Sequence, residues 1–246
     1  MTTAGRQEAM KAKLLEAVAR GRADQQAFVE QLGDEERSAH GTPDLWSAKD
    51  HLAHMNFWRR ESIARLEAAT HGAVPPNLDD FQPLNEATFE AERLTPWGDV
   101  LAESERLFAA VGPALAPLSE EELTDPHRYA WRNGEPLAWT VIGTFLEHPA
   151  EHYGQFYRER GNTARALARY QETVQVMRAF FGASEVYGNA LYNLGCYYAQ
   201  AGETDAAIDA VRQSLQLNPA LVEWSRQDGD LDSLRHLPAF QALYSA

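Results

Sequence analysis

The sequence predicts an all-α protein, a four-helix bundle followed by a helical repeat. Apolar residues recur at three- and four-residue spacings, Ala, Glu, Leu and Arg abound, and alternating β-branched runs are few. The chain has 246 residues, 44% of them hydrophobic, which is between one large domain and two small ones. A change of period after residue 161 favours two unequal units, 1–161 and 162–246.

Over residues 7–32, Met10, Leu14, Val18, Phe28 and Leu32 place an apolar stripe on a first helix, which Gly33-Asp34 ends. A loop through Gly41-Thr42-Pro43 leads to Ser47, an N-cap whose box partner is Asp50 three residues on. The second helix runs to about Thr70 and carries Leu52, Met55, Ile63 and Leu66, with Phe57 and Trp58 adding bulk. Residues 71–94 form a long connection and a candidate lid. Val74-Pro75-Pro76-Asn77 forbids helix at its start, and Leu84-Asn85-Glu86-Ala87 offers one short helical turn.

Thr95-Pro96 supplies an N-cap and a first-turn proline for a third helix ending near Leu118, with a kink predicted at Gly112-Pro113. Residues 128–136 carry the Asn133-Gly134 turn signal and read as an irregular or hairpin-like link. The fourth helix covers residues 137–160 and stops at Gly161. Pro149 inside it removes the bond to residue 145 and predicts a bend beside His148. Four long amphipathic helices in this order pack most simply as an up-down bundle, whose interior takes ligands from facing helices.

From Thr163 the pattern changes. Leu191, Leu194-Gly195, Tyr198, Gly202, Ala207, Val211 and Pro219 reproduce the tetratricopeptide pattern of two helices with small residues at their crossing and a terminal proline. A weaker copy lies 41 residues upstream in Gly154, Tyr157, Gly161, Ala166 and Tyr170. Taken as real, it makes the second half of the fourth helix also the first helix of a repeat. Residues 224–240 then form the cap that the open end of such a stack needs.

A formal net charge of −14 argues against a nucleic-acid or anionic-membrane partner. Cys196 is the one cysteine, so neither an intrachain disulfide nor a cysteine-rich metal site is available. The first residues lack an apolar signal core and no apolar run is long enough to span a bilayer; the expectation is a soluble, cytoplasmic protein. Neither a glycine-rich phosphate loop nor a Gly-x-Ser-x-Gly elbow is present.

The chemistry concentrates in residues 147–155, Glu147-His148-Pro149-Ala150-Glu151-His152-Tyr153-Gly154-Gln155. Imidazoles at i and i+4 project from one helix face and form a ready pair of ligands for a divalent metal such as Zn, Ni or Fe. A third comes from residues 46–54 of the second helix, which contain His51 and His54. Three protein ligands leave positions open for water or substrate, the geometry of a reactive site. Glu147 and Glu151 flank the pair as candidate general bases or as acceptors that orient a ring. Set against this is the plainer reading that the histidines are polar residues on a helix face. Trp58, Trp97, Trp131 and Trp139 are candidate pocket walls, though aromatics at such spacing usually belong to cores. His40, His71, His127 and His236 lie in loops or near ends, where a solvated role is the default.

Trp46-Ser47-Ala48-Lys49-Asp50-His51-Leu52-Ala53-His54 followed by Trp58, then Leu84-Asn85, then His148-Pro149-Ala150-Glu151-His152-Tyr153-Gly154-Gln155, resembles the DinB superfamily of four-helix bundles. Its ClbS/DfsB-like branch is the nearest in pattern. The resemblance covers about residues 7–160 and implies that His54, not His51, joins His148 and His152 as a metal ligand. It also implies a range of activities: thiol-dependent transferases and isomerases, metal-binding proteins, and hydrolases that destroy a reactive natural product. The appended repeat lies outside that family's core. The expectation is a metal-dependent hydrolase or thiol transferase acting on a small, electrophilic molecule. The alternative is a non-catalytic module that holds a protein partner, or a second copy of the chain, through the repeat.

Overall fold

The computed structural model describes residues 3–78 and 80–244. Among them the regular elements are all helices, with no strand beyond an isolated antiparallel bridge between Thr42 and Leu45. Two compact units divide at 152/153.

In the first unit α1 (Thr3–Glu30), α3 (Ala48–Thr70), α5 (Trp97–Leu115) and the helix that begins with α7 (Leu137–Ile142) pack around one core. Leu14, Leu52, Met55, Leu66, Val111 and Phe145 are fully buried. Each contributes about 1.5–3 kcal/mol by leaving water. Ser47 caps α3 as expected: its side chain accepts from the Asp50 amide, and the Asp50 carboxylate accepts from the Ser47 amide at 2.9 Å. The cap fixes where α3 starts, and so where His51 and His54 sit along it.

Polar residues tie α3 to its neighbours. Asn56 donates to the Val100 carbonyl at 2.9 Å and accepts from the Ser104 hydroxyl at 2.8 Å, while Ser62 donates to the Thr140 carbonyl at 3.1 Å. Arg59 is completely buried; it donates to Gln25 at 2.7 Å, and its guanidinium lies 4.4 Å from the Phe108 ring centre.

Several elements differ from the sequence reading. A short α2 (Asp34–Ser38) follows Gly33, and α6 (Glu120–Thr124) carries its own box, Ser119 with Glu122. The single turn expected at residues 84–87 is a helix of 12 residues, α4 (Phe81–Glu92). Pro83 sits in its first turn, where a missing N–H breaks no helical bond. Lys49 closes the other end, donating to the carbonyls of Glu92, Arg93 and Thr95. Thr95 is not the cap of α5: Pro96 holds that position, and the Thr95 hydroxyl donates to Glu92 instead. The link at residues 128–136 takes the irregular form of the two expected, a 3-10 turn, Ala130–Arg132, ended by Asn133 and Gly134 at φ 53° and 89°.

The fourth helix is not uniform. After α7 the chain widens into a π-helical stretch, Gly143–Glu147, before α8 (His148–Glu159). The His148 amide bonds the Gly143 carbonyl, five residues back. Pro149 explains the widening: it has no N–H for the Phe145 carbonyl and its ring would strike that oxygen in an α-helix. Gly21 of α1 closes over the same carbonyl, so tightly that a Cβ there would lie 1.9 Å from the Phe145 oxygen.

The second unit, residues 153–246, contains α9 (Thr163–Phe181), α10 (Glu185–Gln200) and α11 (Thr204–Leu217). The small residues sit where helices approach. A Cβ on Gly195 would lie 2.7 Å from Val211, and one on Gly154 would lie 2.1 Å from the Tyr197 hydroxyl. Gly161 and Gly202 both take positive φ, at 75° and 80°, in equivalent turns of the two copies. Tyr170 stacks on Tyr197 at 4.7 Å between ring centres. The C-terminal segment is the cap its sequence suggests: Leu231, Leu234 and Phe240 pack on Tyr192, Cys196, Ile208 and Val211. Cys196 is buried, and Asp228 forms a turn by accepting from the Asp230 amide at 3.0 Å.

Candidate metal centre

Three histidines converge inside the first unit. His54, in the second turn of α3, is buried; His148 and His152, at the start of α8, are partly buried. Their Nε2 atoms face one another, with His148 2.8 Å from His152 and 3.1 Å from His54. One nitrogen from each of the three lies within 4.8 Å of the others. Two nitrogens held at about 2.0–2.1 Å from one ion lie roughly 3 Å apart, so this spacing fits a shared divalent metal.

The electrostatics agree with the geometry. Burial pushes the His54 pKa down to about 4. Burial also holds His148 and His152 well below the usual imidazole range, reinforced for His148 by His54, Arg59 and His51 and for His152 by His148, His51 and His54. All three are therefore neutral near pH 7, the form that offers a lone pair to a metal.

His51, the other histidine of the second helix, is fully buried. Its Nδ1 meets His152 Nδ1 at 3.0 Å, on the side of the ring away from the Nε2 cluster. Glu147 ends the π-helical stretch and Glu151 lies in the first turn of α8; both are partly buried beside the histidines in sequence.

Aromatic rings wall the cluster. Trp46 stacks on His152 at 5.8 Å with 7° between planes, and lies 5.0 Å from His54. On another side it stacks on Phe89 of α4 at 6.2 Å. Trp58 lies 6.3 Å from His54 and its indole N–H donates to Asn85 at 3.2 Å. Trp46, Asn85 and Phe89 line a cleft of about 590 Å³ together with Asp44, Glu86 and Glu90. Of the four candidate wall tryptophans, Trp58 reaches His54. Trp131 lines a separate cavity of about 540 Å³ with Arg65 and Arg132, and Trp139 packs against Gly143. His40, His71, His127 and His236 are exposed.

Sequence reasoning missed Trp46 and Phe89 as walls. Trp46 directly precedes the cap of α3, and that position is the signal that places its ring over the first turns of the helix. Phe89 carries no signal in the sequence, which offers only one helical turn at residues 84–87.

The fold and the site together define a helical bundle with an internal three-imidazole centre, followed in the chain by a helical repeat. The DinB superfamily profile matches residues 17–156, more than half of the chain, and the protein belongs to that superfamily. A tetratricopeptide repeat profile matches residues 147–220. A stretch of 63 residues is 40% identical to the Photosystem I assembly protein Ycf3 of Acaryochloris marina (strain MBIC 11017), covering 26% of this chain and 36% of that protein. The chain thus spans about a third of the length of that curated relative. No solved structure gives a significant match. No helix among the described residues is long and apolar enough to cross a membrane.

Proposed function

We propose that the bundle binds one divalent metal through His54, His148 and His152 and uses it in a hydrolase or thiol-transferase reaction on a small electrophilic molecule. The observation that carries this reading is the convergence of three neutral Nε2 atoms at 2.8 and 3.1 Å in a buried, aromatic-walled site. A metal held there would supply Lewis acidity. The chain's own residues do the rest. Trp46 and Trp58 shield the centre from water on two sides, and the cleft along Trp46 and Phe89 admits a planar or apolar group. Glu147 or Glu151 takes a proton from the attacking water or thiol and returns it to the leaving group.

The test loads the protein with Zn²⁺, Ni²⁺ or Fe²⁺ and offers epoxide, haloalkane and activated-ester probes with and without added thiol. Turnover should require metal, disappear in His148→Ala with His152→Ala, and fall about a hundredfold in Glu151→Gln or Glu147→Gln. Turnover that survives metal removal would defeat the reading.

A second reading applies to residues 153–246. The tetratricopeptide match and the similarity to an assembly protein favour a role in holding a protein partner or a second copy of the chain. Sedimentation of the purified protein over a concentration series tests the second-copy form, with a concentration-independent monomer mass counting against it.

A further inference from the structure

We propose that His51 is the positioning residue of the centre, fixing the ring of His152 and the nitrogen that carries its proton. The inference rests on the metal-binding reading above, because it concerns which atom of His152 is offered to a metal. His51 and His152 share a contact between Nδ1 atoms at 3.0 Å, and only one hydrogen fits between two ring nitrogens at that distance. Either ring can carry it. If His51 does, neutral His152 must hold its own hydrogen on Nε2, aimed at His148 Nε2 2.8 Å away, and that atom has no lone pair to give. If His152 carries it, its Nδ1–H donates to His51 and its Nε2 pair faces His54 and His148.

Ligation at Nε2 therefore requires His51 to be the acceptor, with its own hydrogen on Nε2. His51 fills the role that a carboxylate or backbone carbonyl commonly plays behind a metal-bound imidazole. The site is built to keep this pair in register. His51 is fully buried one turn before His54, on the helix fixed by the Ser47–Asp50 cap. Trp46 packs edge-on against His51 at 5.4 Å and face-on against His152 at 5.8 Å. His54 has no equivalent support, since its Nδ1 is buried without a hydrogen-bond partner among the described residues. Of the ligand pair on α8, His152 is the one whose Nδ1, the nitrogen away from the Nε2 cluster, meets a side chain of α3.

The test compares wild type, His51→Leu and His51→Asn, with zinc affinity read by chelator competition, folding by circular dichroism, and His152 by long-range ¹⁵N–¹H correlation spectra. Asn places a carbonyl oxygen near the position of the lost Nδ1; Leu offers similar bulk and no acceptor. His51→Leu should bind zinc about ten- to a hundredfold more weakly. His51→Asn should recover most of that loss, and zinc-loaded wild type should show His152 protonated on Nδ1. Equal zinc affinity in the Leu and Asn variants would overturn the proposal, as would His152 bound through Nδ1. The wild-type spectrum decides the point without the variants if His51→Leu does not fold. Wild type that takes up no zinc fails the metal reading itself, and this outcome is separate from normal uptake with no effect of His51.

Discussion

At the scale of single residues, the centre depends on imidazoles kept neutral by burial. His54 has a folded pKa of about 4 against an ordinary 6.5. Above pH 6.5 neither the folded nor the unfolded chain protonates it, and its contribution to stability is whole. As pH falls through 6.5 the unfolded chain takes up a proton that the folded chain refuses until about pH 4. Metal-free protein should therefore lose about 3 kcal/mol from this residue across that window, with His148 and His152 adding in the same direction. Urea unfolding at pH 7.5 and 4.5 measures the loss, and a flat profile would mean that the histidines are not buried as described. Arg59 is the other residue whose environment sets its cost. Its Ala variant gives up charge-assisted bonds to Gln25 and Asn56 and the contact with Phe108, and should be destabilised by about 3 kcal/mol in the same assay.

At the scale of elements, Pro149 and Gly21 act together. The sequence announces a break beside His148, because proline cannot bond the carbonyl four residues back. It does not announce that the break takes the form of a π-helical stretch, since that depends on α1 lying against the Phe145 carbonyl. Gly21→Ala puts a methyl group 1.9 Å from that backbone oxygen, so α1 or the π turn must shift. We expect a loss of about 1–3 kcal/mol, seen as a lower thermal midpoint, together with weaker metal binding because His148 follows the turn. An unchanged midpoint would show that α1 does not rest there. The cap of α3 was legible because Ser47 and Asp50 act locally. The length of α4 was not, because its C-terminal end is held by Lys49 from a distant part of the chain. The hydrogen bond between His51 and His152 was hidden for the same reason, joining residues 101 positions apart.

At the scale of the whole molecule, two units carry two kinds of order. The bundle was readable from its periodicity, and the repeat from glycines and alanines whose spacing only close helix crossing explains. Phe240, 2% exposed, seals the end of the second unit against Tyr192, Ile208 and Val211. Phe240→Ala should cost that unit about 3–5 kcal/mol, visible in calorimetry as an earlier transition while metal content stays unchanged. Loss of metal with that variant would mean that the two units are not separable in this way. The proposed metal site, three histidines from two helices, is open to elemental analysis of the purified protein beside the His148→Ala, His152→Ala variant, with folding of both verified by circular dichroism. The parent should carry close to one equivalent of divalent metal and the folded variant none; equal, negligible metal in both after incubation with Zn²⁺, Ni²⁺ and Fe²⁺ would rule the centre out.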